Sequence, residues 1–203
     1  FTPRPLIDTI IACIRPQPGE TIQDPAAGTG GFLIAADTYI KARTDQLYDL
    51  TERRRQFQRQ HAYLGMELVA GTRRLALMNC LLHGMEGDDQ GVVHLGNTLA
   101  SAGSTLPHSD VMLSNPPFGT ARGGGGPTRD DLTFATSNKQ LAFLQHIVRH
   151  LKDGGYGLCR AGLCQLQRHL GRSTRYAASD CRIFGSPLTS HAGRRTQELV
   201  GRT

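Results

Sequence analysis

The stretch with the most specific chemistry in this sequence is Asn115-Pro116-Pro117-Phe118. Two consecutive prolines lock the backbone and remove two N–H donors, so their carbonyls are left as acceptors, and Asn115 adds a side-chain carbonyl. Together these groups can accept both hydrogens of an exocyclic amine. That draws the nitrogen lone pair out of an aromatic ring and toward an incoming methyl group. Phe118 can stack on a base removed from its helix, which is how enzymes reach an atom buried in a duplex.

A second candidate runs from Asp24 to Phe32 and holds glycines at Gly28, Gly30 and Gly31. Glycine lets the backbone turn tightly into a helix and come close to a ligand, and a helix N-terminus offers N–H groups to it. The loop lacks the Gly-Lys-Ser/Thr of a phosphate-binding loop and the G-x-G-x-x-G spacing of dinucleotide folds. Asp24, just before the turn, brings a fixed negative charge, which suits an ammonium or sulfonium ligand better than a pyrophosphate. Glu67 is the third candidate, a carboxylate placed to accept both hydroxyls of a ribose.

Each of these groups must stand at a strand end. The apolar set Leu6, Ile7, Ile10, Ile11 and Ile14 predicts a helix entered through Pro3 and Pro5. Thr21-Ile22-Gln23 predicts a strand, and residues 31–43 a second helix. Residues 44–61 read as a solvated helix or long loop. Strands are expected at 62–67, 91–95 and 110–114. A helix from Val69 to Leu82 is expected to bury Leu75, Leu77, Met78, Leu81 and Leu82, and another spans Leu141 to Leu151. Alternating strands and helices predict a parallel sheet covered on both faces, with ligands beyond the carboxyl ends of its strands.

Composition narrows the class. The 203 residues are 38% hydrophobic and 20% charged, which excludes a disordered chain, and the longest apolar run is too short to span a bilayer. Five cysteines without a Cys-x-x-Cys pair suggest neither a disulfide framework nor a zinc site, so a reduced, cytoplasmic setting is expected. The chain opens with Phe1 rather than Met and reads as a fragment of something longer.

The net charge of +6 has one source. Residues 156–203 hold eight arginines, no lysine and two acids, whereas residues 1–155 hold 15 basic and 15 acidic side chains. The basic balance therefore says nothing about a nucleic-acid partner for the N-terminal body. His83 and His94 read as packing or surface residues. Arg129 and Lys139 read as solvated, with DNA phosphate the alternative partner.

Asp-Pro-Ala-x-Gly-x-Gly-Gly-Phe followed by Asn-Pro-Pro-Phe resembles the S-adenosylmethionine-dependent amino-group DNA methyltransferases. Residues 1–155 look like the modification subunit of type I restriction-modification systems. Phe1-Thr2-Pro3-Arg4, Leu77-Met78-Asn79-x-Leu81-Leu82-His83-Gly84 and Gly123 to Asp131 carry the same likeness. The resemblance implies an α/β fold, the Rossmann-like S-adenosylmethionine-dependent methyltransferase fold, with a mostly parallel sheet, helices on both faces and an incomplete C-terminus. S-adenosyl-L-methionine is the implied cofactor, and no metal is implied. Its implied binding residues are Phe1, Thr2, Pro3, Arg4, Asp24, Ala26, Gly28, Thr29, Gly30, Gly31 and Glu67. Asn97 stands where the family commonly has Asp for the adenine ring.

Asn115, Pro116, Pro117 and Phe118 match the catalytic motif, in the form typical of adenine N6 methylation. Duplex DNA, a specificity subunit, a second modification subunit and a restriction subunit are the implied partners. Methylation of RNA or of a protein glutamine, and a non-catalytic remnant that binds only a partner subunit, are the rival readings.

The likeness is expected to stop at Gly155, leaving 1–155 as a truncated catalytic core and 156–203 as an atypical basic tail. Arg160 and the glycines around it oppose the buried strand that the family has next, so a shifted reading frame is one origin for the tail and disorder another.

Overall fold

The expected alternation is seen in the computed structural model, which describes residues 2–117 and 128–159. Helix α1 (Arg4–Ile14) has Pro5 in its first turn, where a missing N–H is harmless, and buries Ile7, Ile10, Ile11 and Ile14. Strands β1 (Ile22–Asp24), β2 (Tyr63–Glu67), β3 (Val93–Leu95), β4 (Ser109–Ser114) and β5 (Leu151–Cys159) follow in chain order. Between them lie α2 (Gly31–Arg43), α3 (Glu52–Gln60), α4 (Ala70–Leu82), the short α5 (Ser101–Ser104) and α6 (Lys139–His150).

The strands pair in parallel in the order β3-β2-β1-β4-β5. Ile22 of β1 is in register with Tyr63 on one side and Val111 on the other, so the three-residue β1 sits at the centre of the sheet with every residue buried. The strand order reverses between β1 and β4. In such sheets that reversal opens a crevice at the carboxyl ends, and Asp24 ends β1 where Asn115 follows β4.

Gly65 in β2 has no room for a side chain. A Cβ there would stand 2.8 Å from the Ala27 Cβ, 3.1 Å from Val93 Cγ2 and 3.2 Å from Leu33 Cδ1. Gly65→Ala is therefore expected to cost about 2 kcal/mol by overpacking. Thermal unfolding should show a midpoint lower by about 4–8 °C; an unchanged midpoint would mean that the sheet shifts freely here.

Residues 44–61 keep to one of their two readings, while two further helices pack otherwise than their periodicity suggests. Residues 44–61 contain α3, and before it Asp45, Gln46 and Leu47 are consecutive residues at positive φ (43°, 54° and 73°). This costly backbone is held by Leu47, whose side chain is buried in the core. Helix α4 forms as predicted but rotated. Ala76 and Cys80 face inward and Leu77 is partly buried, while Leu75, Met78, Leu81 and Leu82 are 52–83% exposed. Helix α6 buries Ile147 together with the polar Gln145, His146 and His150, and Val148 is exposed.

The strand expected to fail after Gly155 forms as far as Cys159. Tyr156, Gly157, Leu158 and Cys159 pair with Val111, Met112, Leu113 and Ser114 of β4. Here glycine helps rather than hinders, because a Cβ on Gly157 would lie 2.4 Å from the Met112 carbonyl oxygen. Arg160 and the rest of the basic tail lie outside the described residues.

Candidate active site

The crevice between β1 and β4 holds a cavity of about 480 Å³ lined by Thr2, Arg4, Asp24, Gly28, Asn79 and Asn115, among others. Four of the sequence candidates thus meet at one place with the asparagine of the proline motif. Ala26, Thr29 and Gly31 also line it. Pro116 is buried behind Asn115 and Pro117 is exposed, while Phe1 and Phe118 lie outside the described residues.

Asn115 is the informative member. Its Nδ2 donates to Thr2 Oγ1 at 2.8 Å, while its Oδ1 is buried without a hydrogen-bond partner. A buried carbonyl left unpaired is costly, and one that lines a cavity is an acceptor waiting for an N–H.

Asp24 is 1% exposed, and its Oδ1 accepts the Ala26 N–H at 3.0 Å. Burial pushes its carboxyl up from 3.8 to about 7; the Ala26 N–H and the Ser114 hydroxyl pull it back, and nearby Glu67 raises it further. The fixed charge expected from sequence is therefore corrected. Near neutrality the carboxyl of the free protein is poised between two states, and a cation in the cavity favours the charged one.

The glycine turn is shaped as its residues require. Gly28 and Gly30 adopt φ of 57° and 83°, and the space a Gly28 side chain would fill is open to at least 4 Å. Gly30 begins α2. Glu67 closes the turn from below, with Oε2 accepting the Gly28 N–H at 3.0 Å and Oε1 the Val69 N–H at 2.8 Å. Asn97 uses its Oδ1 to accept the Leu99 N–H at 3.0 Å, which stiffens its own loop.

Two side chains here were missed from sequence. Asn79 and His83 of the α4 region line the same cavity, and Asn79 Nδ2 donates to the Thr29 carbonyl at 3.1 Å. The signal lay in the stretch around Asn79, whose leucines drew attention to packing instead.

Arg129 is neither solvated nor open to DNA. It is 8% exposed; Nη1 donates to the Thr98 carbonyl at 3.0 Å and to His146 Nδ1 at 2.7 Å, and the guanidinium grips Asp131 through Nε and Nη2. Thr98 Oγ1 in turn donates to the Pro25 carbonyl at 2.5 Å. The loop after β3 is thus tied to the start of the glycine turn. His94 is also paired, with Asp88 at 2.9 Å. Among the described residues no three His, Cys, Asp or Glu side chains group to hold a metal, and no helix is long and apolar enough to cross a membrane.

A parallel sheet of this order, with a glycine turn after its first strand and an amide-plus-proline corner after its fourth, is the fold of the S-adenosylmethionine-dependent methyltransferases. The sequence matches the family described as N-6 DNA Methylase over residues 1–165, and the chain belongs to that family. It is 57% identical over 159 residues to the type I restriction enzyme StySPI methylase subunit of Salmonella potsdam. It is 56% identical to the EcoKI methylase subunit of Escherichia coli K12. Each match covers 76% of this chain and 29% of the relative, so the chain spans under a third of these relatives' length.

The crystal structure of the EcoKI M protein superposes with a TM-score of 0.73 over 76% of this chain and 32% of that one. A modification subunit of a putative type I restriction enzyme from Vibrio vulnificus YJ016 gives 0.60 at 31% identity, covering 75% of this chain and 31% of that one.

The residues present fit the cofactor of this class. Open space above Gly28 admits a ligand against bare backbone, and Asp24 offers a carboxylate to a cation. When bound, S-adenosylmethionine supplies an electrophilic methyl group on a sulfonium.

Proposed function

We propose that this chain carries the methyl-transfer core of a type I modification subunit, acting on the N6 amine of adenine in duplex DNA. The observation that carries the reading is the buried, unpaired Oδ1 of Asn115 in the cavity that Asp24 and the glycine turn also line. Asn115 accepts an N–H of the target amine and, with the Pro116 carbonyl, holds its lone pair out of the ring plane. Positioning and this fixed acceptor supply the acceleration, and no residue need form a covalent intermediate.

Thr2 holds the amide of Asn115 through its hydroxyl, and Asp24 in its charged form holds the cationic ligand. The neutral charge balance of residues 1–155 suits a subunit that leaves sequence reading to a separate specificity subunit. A second modification subunit and a restriction subunit are the further partners of this reading. Because the chain spans under a third of the named methylase subunits, low turnover is expected from it alone.

Transfer of labelled methyl groups to adenine-containing duplex DNA, followed by nucleoside analysis, is the test. N6-methyladenine should form, and Asn115→Ala should reduce it by about 10²–10³-fold. Methylation of RNA or of a protein glutamine instead of DNA would overturn the substrate assignment.

A further inference from the structure

The glycine turn is held from both sides, and the two sides differ. On one, Gly31 packs toward Ile7 of α1, so that a Cβ there would stand 3.1 Å from Ile7 Cδ1. On the other lies the inner stripe of α4. A Cβ on Gly30 would be 3.4 Å from Cys80 Sγ and 3.8 Å from Ala76 Cβ. Ala76, Asn79, Cys80 and His83 recur at helical spacing on one face, and all are small or polar.

This explains the rotation of α4. A leucine turned inward would displace the glycine turn, so the leucines point out.

Within the stripe Asn79 reaches the Thr29 carbonyl, its Nδ2 donating at 3.1 Å. A carbonyl can only accept, so the amide of Asn79 has a single useful orientation. The other end of the same peptide unit is held as well, since the Gly30 N–H donates to the Ala27 carbonyl at 2.8 Å. The Thr29–Gly30 peptide plane is thereby pinned at both ends. It lies where Thr29 and Gly28 line the cavity beside Asp24.

We propose that Asn79 is a positioning residue for cofactor binding: it presets the Thr29–Gly30 peptide so that the turn need not be ordered when the ligand arrives. The inference rests on the methyltransferase reading for the identity of the ligand, but not for the loop geometry. Pre-ordering strengthens binding by removing an entropic cost that would otherwise fall on the ligand.

Asn79→Ala and Asn79→Asp separate this role from packing. Asp has the shape of Asn but sets a carboxylate against the Thr29 carbonyl, so a directional role ranks Asp below Ala, whereas a packing role ranks Ala below Asp. Hydrogen exchange of residues 28–31 in the ligand-free chain should quicken by about tenfold in Asn79→Ala and more in Asn79→Asp. The thermal midpoint should move little in Asn79→Ala. Calorimetry with S-adenosylmethionine should show a Kd raised by about tenfold in Asn79→Ala.

Unchanged exchange in both variants, or Ala worse than Asp, would overturn the proposal whether or not the ligand binds. Failure of the unaltered chain to bind S-adenosylmethionine would instead count against the methyltransferase reading, with the exchange result still deciding the role of Asn79.

Discussion

Asp24→Asn is expected to stabilise the free protein at pH 8 while weakening its binding of S-adenosylmethionine by at least tenfold. The carboxyl titrates at about 7 in the folded chain against 3.8 for an unperturbed carboxyl, chiefly because it is buried. Its folded-state value is raised, so between these limits the folded protein holds a proton that the unfolded chain has already shed. Stability therefore falls as pH rises through that window, by about 4 kcal/mol at most once both forms are ionised. Asn accepts the same Ala26 N–H without any charge to bury.

Melting curves should show the variant well above the unaltered chain at pH 8 and level with it near pH 4. Cofactor affinity should move the other way. A cation favours the ionised carboxylate, so affinity in the unaltered chain should weaken by about tenfold per pH unit below pH 7. Equal midpoints at pH 8 together with affinity flat from pH 6 to 8 would show that Asp24 is already ionised in the free protein. A carboxylate kept in a buried place at a cost to folding is a common trade of stability for function.

The second large effect is expected at Arg129. Replacement by Met keeps the buried stem but leaves the Thr98 carbonyl, His146 Nδ1 and Asp131 without their shared donor. Asp131 is partly exposed and keeps Arg149 at 3.6 Å, but two buried acceptors left unpaired cost about 3 kcal/mol together, which lowers the thermal midpoint by about 6–12 °C.

The acid branch should change too. Burial, His150 and Arg129 together push His146 down from 6.5 to about 2. Its value is depressed, so the unfolded imidazole takes up a proton below 6.5 while the folded one refuses it, and stability drains away as the pH falls. Asp24 titrates in the opposite sense over much of the same range, which should leave the unaltered chain with a shallow profile between pH 4 and 6.5. Asp24→Asn should uncover the loss on acidification, and Arg129→Met should soften it by removing one of the charges that oppose protonation. Parallel acid profiles for all three proteins would contradict this assignment.

The strand ends carrying Asp24, Glu67 and Asn115 could be read directly, because apolar runs of strand length followed by glycine or proline leave few alternatives. Helix α2 was legible to the residue at both ends, with glycine at its start and a polar stretch after it. The face of α4 was not. Four leucines and a methionine look like a core-facing set, and nothing local announces that a glycine turn needs a thin neighbour. Arg129 failed for a similar reason: its partners Thr98 and His146 are distant in sequence, so a buried cation looks like a solvated one until the chain is folded.

What the order of residues settled alone is the chemistry available: an amide followed by two imino acids, a carboxylate before a glycine turn, and alternating elements that can only stack as a parallel sheet. These depend on side-chain type and short-range periodicity, which are local properties. Tertiary structure decided the rest. It joined the ends of β1 and β4 at the reversal of strand order, left the Asn115 carbonyl unpaired, lifted the titration of Asp24 and turned the inner face of α4 onto the glycine turn. Each of these depends on which distant groups exclude water from one another, and burial is a property of the assembled fold.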